Sequence, residues 1–230
     1  MNTQPRRGRL ARIDEALSVH GLIARGGFNF GDEETAPPGP SGTSARSVVL
    51  VGQVGASAWP HFVSWRQGQP PDLPHPLDTW SREVIGAVAA RVGARAVSPS
   101  DRPYVPFQRW AMRAEGLKPS PLGILMHPHH GLWHAYRGAL LFATPLDTGS
   151  ANEVIHLCDT CAAKPCLTSC PVDAYSGAGF DHGKCLAHVR SVAGQPCMAR
   201  GCLDRNACPY GADHRYPPDM LAFHMASFAA

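Results

Sequence analysis

The placement of the cysteines constrains this chain more than any other feature. All eight cysteines of the 230 residues lie between Cys158 and Cys208. They form two runs that each end in Cys-Pro: Cys158-x2-Cys161-x4-Cys166-x3-Cys170-Pro171 and, after a separate Cys185, Cys197-x4-Cys202-x5-Cys208-Pro209. Thiols placed this densely either form disulfides or bind metal, and either outcome dictates how this part of the chain folds.

The Cys-Pro endings favour iron–sulfur clusters. Bacterial ferredoxins bind two 4Fe–4S clusters with two runs of C-x2-C-x2-C-x3-C-P, and the fourth cysteine of each run ligates the other run's cluster. The x3 gap from Cys166 to Cys170 follows this pattern, and two such clusters need eight thiolates. We therefore expect a ferredoxin-like redox module over residues 151–230, in which the loss of one cysteine disturbs both halves.

Zinc is the main alternative use of these thiols, since Cys158-x2-Cys161 with distant partners also suits a tetrahedral zinc ion. Disulfides would require an oxidising compartment. The first residues, MNTQPRRGRLARIDEALSVHGL, contain no apolar stretch typical of an export signal. We therefore expect reduced cysteines and a cytoplasmic protein.

Composition narrows the range of partners. Charged residues make up 17% of the chain and the net charge is +3, too mild a balance to indicate a nucleic-acid partner. No run of 18 apolar residues occurs, so no membrane-spanning helix is expected. An apolar content of 44% permits a real hydrophobic core.

Residues 1–150 are predicted to form an α+β domain, because helices and strands alternate without a regular parallel βαβ pattern. Apolar residues at helical spacing predict a helix over Leu77–Val92, and β-branched residues predict a buried strand over Ser47–Val54. The other predicted elements are helices over Arg12–Leu22 and Pro106–Glu115, strands over Ala94–Val97, Ile124–Met126 and Ala139–Ala143, and a loop over Gly31–Ala45.

A histidine-rich segment, HPHHGLWHAYRG, lies between the last two predicted strands and is predicted to be a loop. Three uses of its side chains are open. Four imidazoles this close could ligate a metal. Pro128 and Gly131 break regular spacing, which favours instead a mixture of exposed and hydrogen-bonded histidines. A pocket for a large flat cofactor is the third use. The side chains concerned are His127, His129, His130, His134, Trp133, Tyr136 and Arg137.

Several segments resemble known families. Leu157–Gly211, and especially CPVDAYSGAGFDHGKCLAHV from Cys170 to Val189, resembles the C-terminal half of epoxyqueuosine reductases and the related reductive dehalogenases. Upstream, PLGILMHPHHGLWHAYRGALLF (Pro121–Phe142) and HPLDTWSREVIGAV (His75–Val88) are similar to CblC-type cobalamin-processing chaperones. The x4 and x5 gaps between the cysteines are longer than those of the reductases.

This resemblance implies a nitroreductase-like, CblC-type domain that holds cobalamin, followed by the ferredoxin-like module with two 4Fe–4S clusters. The clusters would pass single electrons to the corrin cobalt or to a small substrate, as in a cobalamin-dependent or cobalamin-processing oxidoreductase. A reductase, flavodoxin or ferredoxin would supply the electrons. The pocket proposed for cobalamin could instead hold a flavin. The alternative function is a ferredoxin-like electron carrier whose first domain is a docking module without a cofactor.

The resemblance also implies roles for particular residues. By the ferredoxin rule, one cluster is held by Cys158, Cys161, Cys166 and Cys208, and the other by Cys170, Cys185, Cys197 and Cys202. The order of Cys197 and Cys202 within the second set stays open. The corrin is expected to contact His127, Trp133 and Arg137.

Asp101 is the candidate proton donor, because epoxyqueuosine reductases use an aspartate upstream of the histidine-rich segment. The alternative is a turn or N-cap carboxylate just before Pro103. The helical repeats that help those reductases bind tRNA are not recognised in this sequence, so tRNA modification is not expected.

Overall fold

The computed structural model describes residues 7–148, 155–176 and 178–230, which form two compact units of mixed helix and strand. The first unit lies within Met1–Gly116 and Ala135–Glu153, and the second within Leu117–His134 and Val154–Ala230. The elements in chain order are α1 (Arg7–Ser18), β1 (Ile23–Asn29), β2 (Ser47–Val54), α2 (Trp59–Gln67), α3 (Pro76–Val92), β3 (Arg95–Val97), α4 (Phe107–Glu115), β4 (Lys118–Pro119), β5 (Leu125–Met126), β6 (His134–Phe142), α5 (Leu157–Thr160), β7 (Tyr175–Ser176), β8 (Gly179–Phe180), α6 (His182–Val189), α7 (Gln195–Arg200), α8 (Leu203–Ala207) and α9 (Pro218–Ala229).

A four-stranded sheet with the order β1-β2-β6-β3 forms the centre of the first unit within the described residues. Strand β2 has the predicted bounds, and its first seven residues are buried. A strand of SVVLVGQV has apolar side chains on both faces, so it is stable where both faces are covered and both edges are paired. Strand β1 pairs antiparallel with β2, and strand β3 pairs antiparallel with β6.

Helix α3 was predicted one residue shorter, from Leu77 instead of Pro76. Proline suits the first turn because its missing N–H would have no intrahelical partner there. The helix ends at Gly93, whose φ of +67° favours glycine and whose N–H donates to the carbonyl of Ala89. The buried face of the helix consists of Leu77, Trp80, Ser81, Ile85, Val88 and Ala89.

Other boundaries differ from the sequence predictions. Helix α1 lies about four residues earlier than predicted, because a turn at His20 and Gly21 ends it before Leu22. Strand β6 begins at His134 instead of Ala139. The second half of the histidine-rich segment, including Arg137, is therefore strand and not loop.

The segment Leu117–His134 was predicted with the first domain but packs within the second unit. The reason is an apolar cluster in which Leu122, Met126 and Leu132 are buried against cysteines of the second unit. The second unit is otherwise built from short helices and the β7–β8 hairpin, and α9 packs against α7. Across the described residues, no helix is both long and apolar enough to cross a membrane.

Candidate metal centres and cofactor cavity

Four cysteines line one nearly filled cavity of about 10 Å³ in the second unit. We call them the first thiol group: Cys158, Cys161, Cys166 and Cys208. Three come from the first Cys-Pro run and the fourth comes from the end of the second run. Apolar side chains of Met126 and Leu132 line the same cavity. The thiols therefore lie in surroundings that contain little water.

The other four cysteines line a second, larger cavity of about 190 Å³. We call them the second thiol group: Cys170, Cys185, Cys197 and Cys202. The cavity is otherwise mostly apolar, and Met225 and Phe228 of α9 contribute to its wall. The two groups are the sets that the ferredoxin rule predicts, with Cys170 and Cys208 exchanged between the runs. Their role as ligands stays a prediction.

All eight cysteines are free thiols, and their grouping makes ionisation costly. Burial raises the pKa of Cys158 to about 11, and the charges of Cys208 and Cys166 add to that effect. Burial likewise raises the pKa of Cys185 to about 11, with a further contribution from Cys202. Four thiolates can share such a site only when a positive group neutralises them.

The donor set matches an iron–sulfur cluster in the number and type of its ligands. Four thiols around one cavity are what a 4Fe–4S core requires, and each group supplies four. Within the described ranges, no three His, Cys, Asp or Glu side chains are arranged to hold a single metal ion.

Two polar side chains that sequence reasoning missed also line the second cavity. The Nε2 atom of His188 and the Oδ2 atom of Asp204 are both buried and have no hydrogen-bond partner among the described residues. The other carboxylate oxygen of Asp204 accepts the N–H of Ser169 at 3.0 Å. Burial is the largest effect on the Asp204 carboxyl and raises its pKa. A sequence signal existed for His188, because it follows Cys185 by three residues on a helix.

The histidines of the HPHHGLWHAYRG segment are hydrogen-bonded or stacked. The Nδ1 atom of His127 accepts the N–H groups of His129 and His130 at 3.1 and 3.2 Å. The His127 and His130 rings stack at 4.1 Å, and His130 Nδ1 lies 3.3 Å from His214 Nε2. His134 is buried, and its Nε2 bonds to the carbonyl of Leu125 at 2.9 Å. This arrangement corresponds to the hydrogen-bonded interpretation.

Trp133, a predicted corrin contact, is fully buried within the second unit. The guanidinium of Arg205 lies over its ring at 4.4 Å and over the ring of Tyr216 at 4.7 Å. The same guanidinium donates to the carbonyl of Leu132 at 2.6 Å. Trp133 thus helps to hold the histidine-rich segment to α8.

Asp101 and Arg137 line one cavity of about 190 Å³ in the first unit. Arg137 donates from Nε to Gln53 at 3.1 Å, and Gln53 itself is buried and donates to the carbonyl of Gly55. Arg82, which sequence reasoning missed, also lines the cavity and pairs with Asp101 at 3.3 Å. The cavity therefore presents two cationic side chains and one carboxylate.

The Asp101 carboxylate also accepts the N–H of Ser98 at 2.7 Å, while its own N–H donates to the Ser98 carbonyl. Its side chain therefore closes the turn after β3, which is the alternative predicted from the sequence. Its position in the cavity leaves the proton-donor role as a prediction. His127 and Trp133 lie in the second unit and do not line this cavity.

A buried ionic network joins strands β1 and β6 of the first unit's sheet to helix α4. Arg25 of β1 bonds to both carboxylate oxygens of Glu115 at 2.9 Å, and Tyr136 of β6 donates a short hydrogen bond to Glu115. Burial is the largest effect on the Tyr136 hydroxyl and raises its pKa well above the usual range. Tyr136 therefore fastens β6 and is not an open ligand contact.

A mixed α/β chain that carries two four-thiol groups and a small charged cavity has relatives in fold. Neither a protein family nor a curated protein matches this chain. Solved structures do. Epoxyqueuosine reductase in complex with a tRNA-Tyr stem loop aligns with a TM-score of 0.53 and 13% identity, over 94% of this chain and 68% of that chain.

Two further structures agree. The epoxyqueuosine reductase from Bacillus subtilis aligns with a TM-score of 0.52 and 13% identity, over 92% of this chain and 68% of that chain. The C. elegans B12-trafficking protein CblC aligns with a TM-score of 0.54 and 12% identity, over 95% and 91%. At these identities the likeness concerns the fold. The predicted resemblance to both families is confirmed at that level.

Proposed function

We propose that this chain is an iron–sulfur redox protein whose two thiol groups hold 4Fe–4S clusters in a ferredoxin-like module. The observation that carries the proposal is the exchange of Cys170 and Cys208 between the two groups. This exchange is the rule in two-cluster ferredoxins, where the fourth cysteine of each run ligates the other run's cluster. The clusters supply one-electron transfer. The chain would hold them with eight thiolates in cavities that have mainly apolar walls.

The electron acceptor in this proposal is a ligand bound by the first unit. Arg137, fixed by the buried Gln53, provides hydrogen-bond donors in the cavity there, and Asp101 provides an acceptor or a proton. Sites that enclose a whole drug-sized ligand measure about 300–1,000 Å³. This cavity of about 190 Å³ fits a small substrate or a side chain at the edge of a larger one, such as a corrin.

Cobalamin is the proposed larger ligand, because the fold is shared with a B12-trafficking protein and with epoxyqueuosine reductases. The residues of this chain would then bind the periphery of the corrin, with Arg137 directed at its polar side chains. The reaction proposed is reduction of the bound cobalt or of a small substrate, with electrons supplied by a reductase, flavodoxin or ferredoxin. The proposal places the protein in the cytoplasm.

The second candidate function is an electron carrier whose first unit holds no cofactor. The packing of Tyr136 favours it, because this side chain of the first unit bonds to Glu115 in the interior instead of lining an open pocket. Modification of tRNA is not proposed, although one structural relative was solved with a tRNA stem loop.

Anaerobic purification followed by iron and sulfide analysis tests the proposal. We expect about eight iron and eight sulfide per chain. Zinc without sulfide would refute it. A titration with cobalamin then separates the two candidate functions, since a shift of the corrin absorption band indicates a bound corrin. A protein with eight iron atoms that causes no shift of the corrin band would support the electron carrier. The Arg137→Gln variant would then give the same cobalamin titration as the unaltered protein.

A further inference from the structure

His188 lies in the second cavity but has no part in the four-thiol set. It belongs to α6, which also carries Cys185. Residues three apart on a helix lie on the same face, so the helix turns both side chains towards the same side. The cavity wall includes both of them. The position of His188 is therefore set by the same backbone that presents the thiol.

The polar atom of His188 has no partner in its present surroundings. Its Nε2 is buried without a hydrogen bond to any described residue. A buried donor that lacks a partner is costly, so its placement calls for an explanation. The backbone carbonyl of His188 is already used, because it accepts the N–H and the hydroxyl of Ser191.

The walls of the cavity offer few acceptors. They are mainly apolar and aromatic, and Asp204 is the carboxylate among them. The thiols themselves, and the sulfides of a cluster held by them, are the sulfur acceptors that this cavity would contain. A neutral imidazole that carries its proton on Nε2 can donate one N–H to such a sulfur.

We propose that His188 is a positioning residue that donates a hydrogen bond to a sulfur of the cluster in the second thiol group and raises the reduction potential of that cluster alone. The inference rests on the proposed function, because it requires the cluster. An N–H directed at a sulfur stabilises the additional negative charge of the reduced cluster. His188 is not among the residues lining the first cavity, so the cluster there is unaffected.

The proposed hydrogen bond acts on one of the two clusters only. The first cavity is lined by Lys164 and by apolar side chains, whereas the second contains an imidazole. With the hydrogen bond, the cluster of the second group accepts an electron more readily than it would without it. His188 would therefore tune the potential of the cluster in the second group without acting on the cluster in the first.

A matched set of variants tests this role. In His188→Asn the side chain is too short to place a donor at Nε2, whereas His188→Gln places an amide N–H near that position. His182→Asn is the control, because His182 lies on the same helix, is exposed and does not line the cavity. The measurements are iron content, the two midpoint potentials by EPR-monitored titration, and exchangeable-proton couplings of the reduced cluster in D₂O.

We expect His188→Asn to retain about eight iron atoms, to lower one midpoint potential and to lose one exchangeable-proton coupling. We expect His188→Gln to restore most of the potential, and His182→Asn to match the unaltered protein. Unchanged potentials in His188→Asn would overturn the inference. It would also be overturned if the Gln and Asn variants lowered the potential equally, since His188 would then act through its volume. Loss of iron from both variants would overturn it too, since His188 would then be a ligand.

The same measurements separate this inference from the proposed function. An unaltered protein without iron and sulfide would refute the clusters themselves. An unaltered protein with eight iron atoms, together with variants of unchanged potential, would refute only the role of His188.

Discussion

Replacing Glu115 with alanine should destabilise the first unit more than any exposed carboxylate would. Glu115 receives two hydrogen bonds from Arg25 at 2.9 Å and one from Tyr136. The side chain of Arg25 is 2% exposed and that of Glu115 is 14% exposed. Without Glu115 the guanidinium charge remains buried without its counter-ion, and the Tyr136 hydroxyl loses its acceptor.

Removing one partner of a buried ion pair costs about 3–5 kcal/mol, against a total stability of about 5–15 kcal/mol for a domain. With a urea m value of about 2 kcal/mol per M, Glu115→Ala should lower the unfolding midpoint by roughly 2 M. The assay is anaerobic urea denaturation followed by far-UV circular dichroism, with cluster absorbance recorded in parallel so that the two units are distinguished.

Asp32→Ala is the matched control, because Asp32 pairs with Arg46 at the same distance of 2.9 Å but is 87% exposed. Exposed pairs contribute about 0–1 kcal/mol, so the midpoint should barely move. The double variant Arg25→Met/Glu115→Leu should be less destabilised than Glu115→Ala, since no unpaired charge remains. Equal losses in Glu115→Ala and Asp32→Ala would refute the reasoning.

Three further predictions concern the second unit. Gly131→Ala should destabilise it more than Gly123→Ala: both have positive φ, which costs alanine about 1–2 kcal/mol, but only at Gly131 would a Cβ lie 2.0 Å from the carbonyl oxygen of Tyr210. Thermal unfolding of both variants checks this, and equal losses would contradict it. Arg205→Met should cost about 2 kcal/mol and increase amide exchange around Trp133, because its stacking and its hydrogen bond to the segment are lost; unchanged exchange would contradict it. Anaerobic iron chelation should lower the unfolding temperature of this unit, whereas the first unit should unfold as before in calorimetry.

Much of the first unit could be predicted from local pattern alone. Strand β2 is a continuous apolar run and helix α3 has a helical apolar repeat, so both appeared near their true bounds. Strand β1 was missed because IARGGFN contains two glycines and a charged arginine, and its formation depends on pairing with β2 and on the buried partner of Arg25. Helix α2 was missed because WPHFVSWRQ begins with a tryptophan and a proline and has little periodicity.

The thiol groups could be predicted because a general rule connects distant cysteines. Nothing comparable connects Arg137 with Gln53 and Asp101, which approach each other only through strand pairing and the turn after β3. The burial of Trp133 was also beyond the sequence, since it depends on Arg205 and Tyr216 far along the chain. Tertiary contacts of this kind decide whether an aromatic residue lines a pocket or fills a core.

The exchange of Cys170 and Cys208 has a consequence for biosynthesis. Chain order determines when each set of thiols becomes complete on the ribosome: the second group at Cys202 and the first group only at Cys208. The first three members of the first group, Cys158 to Cys166, emerge long before their fourth. The two groups are therefore completed within six residues of each other, at Cys202 and Cys208. If the groups hold clusters as proposed, no complete set of four thiols exists before residue 202 has been synthesised.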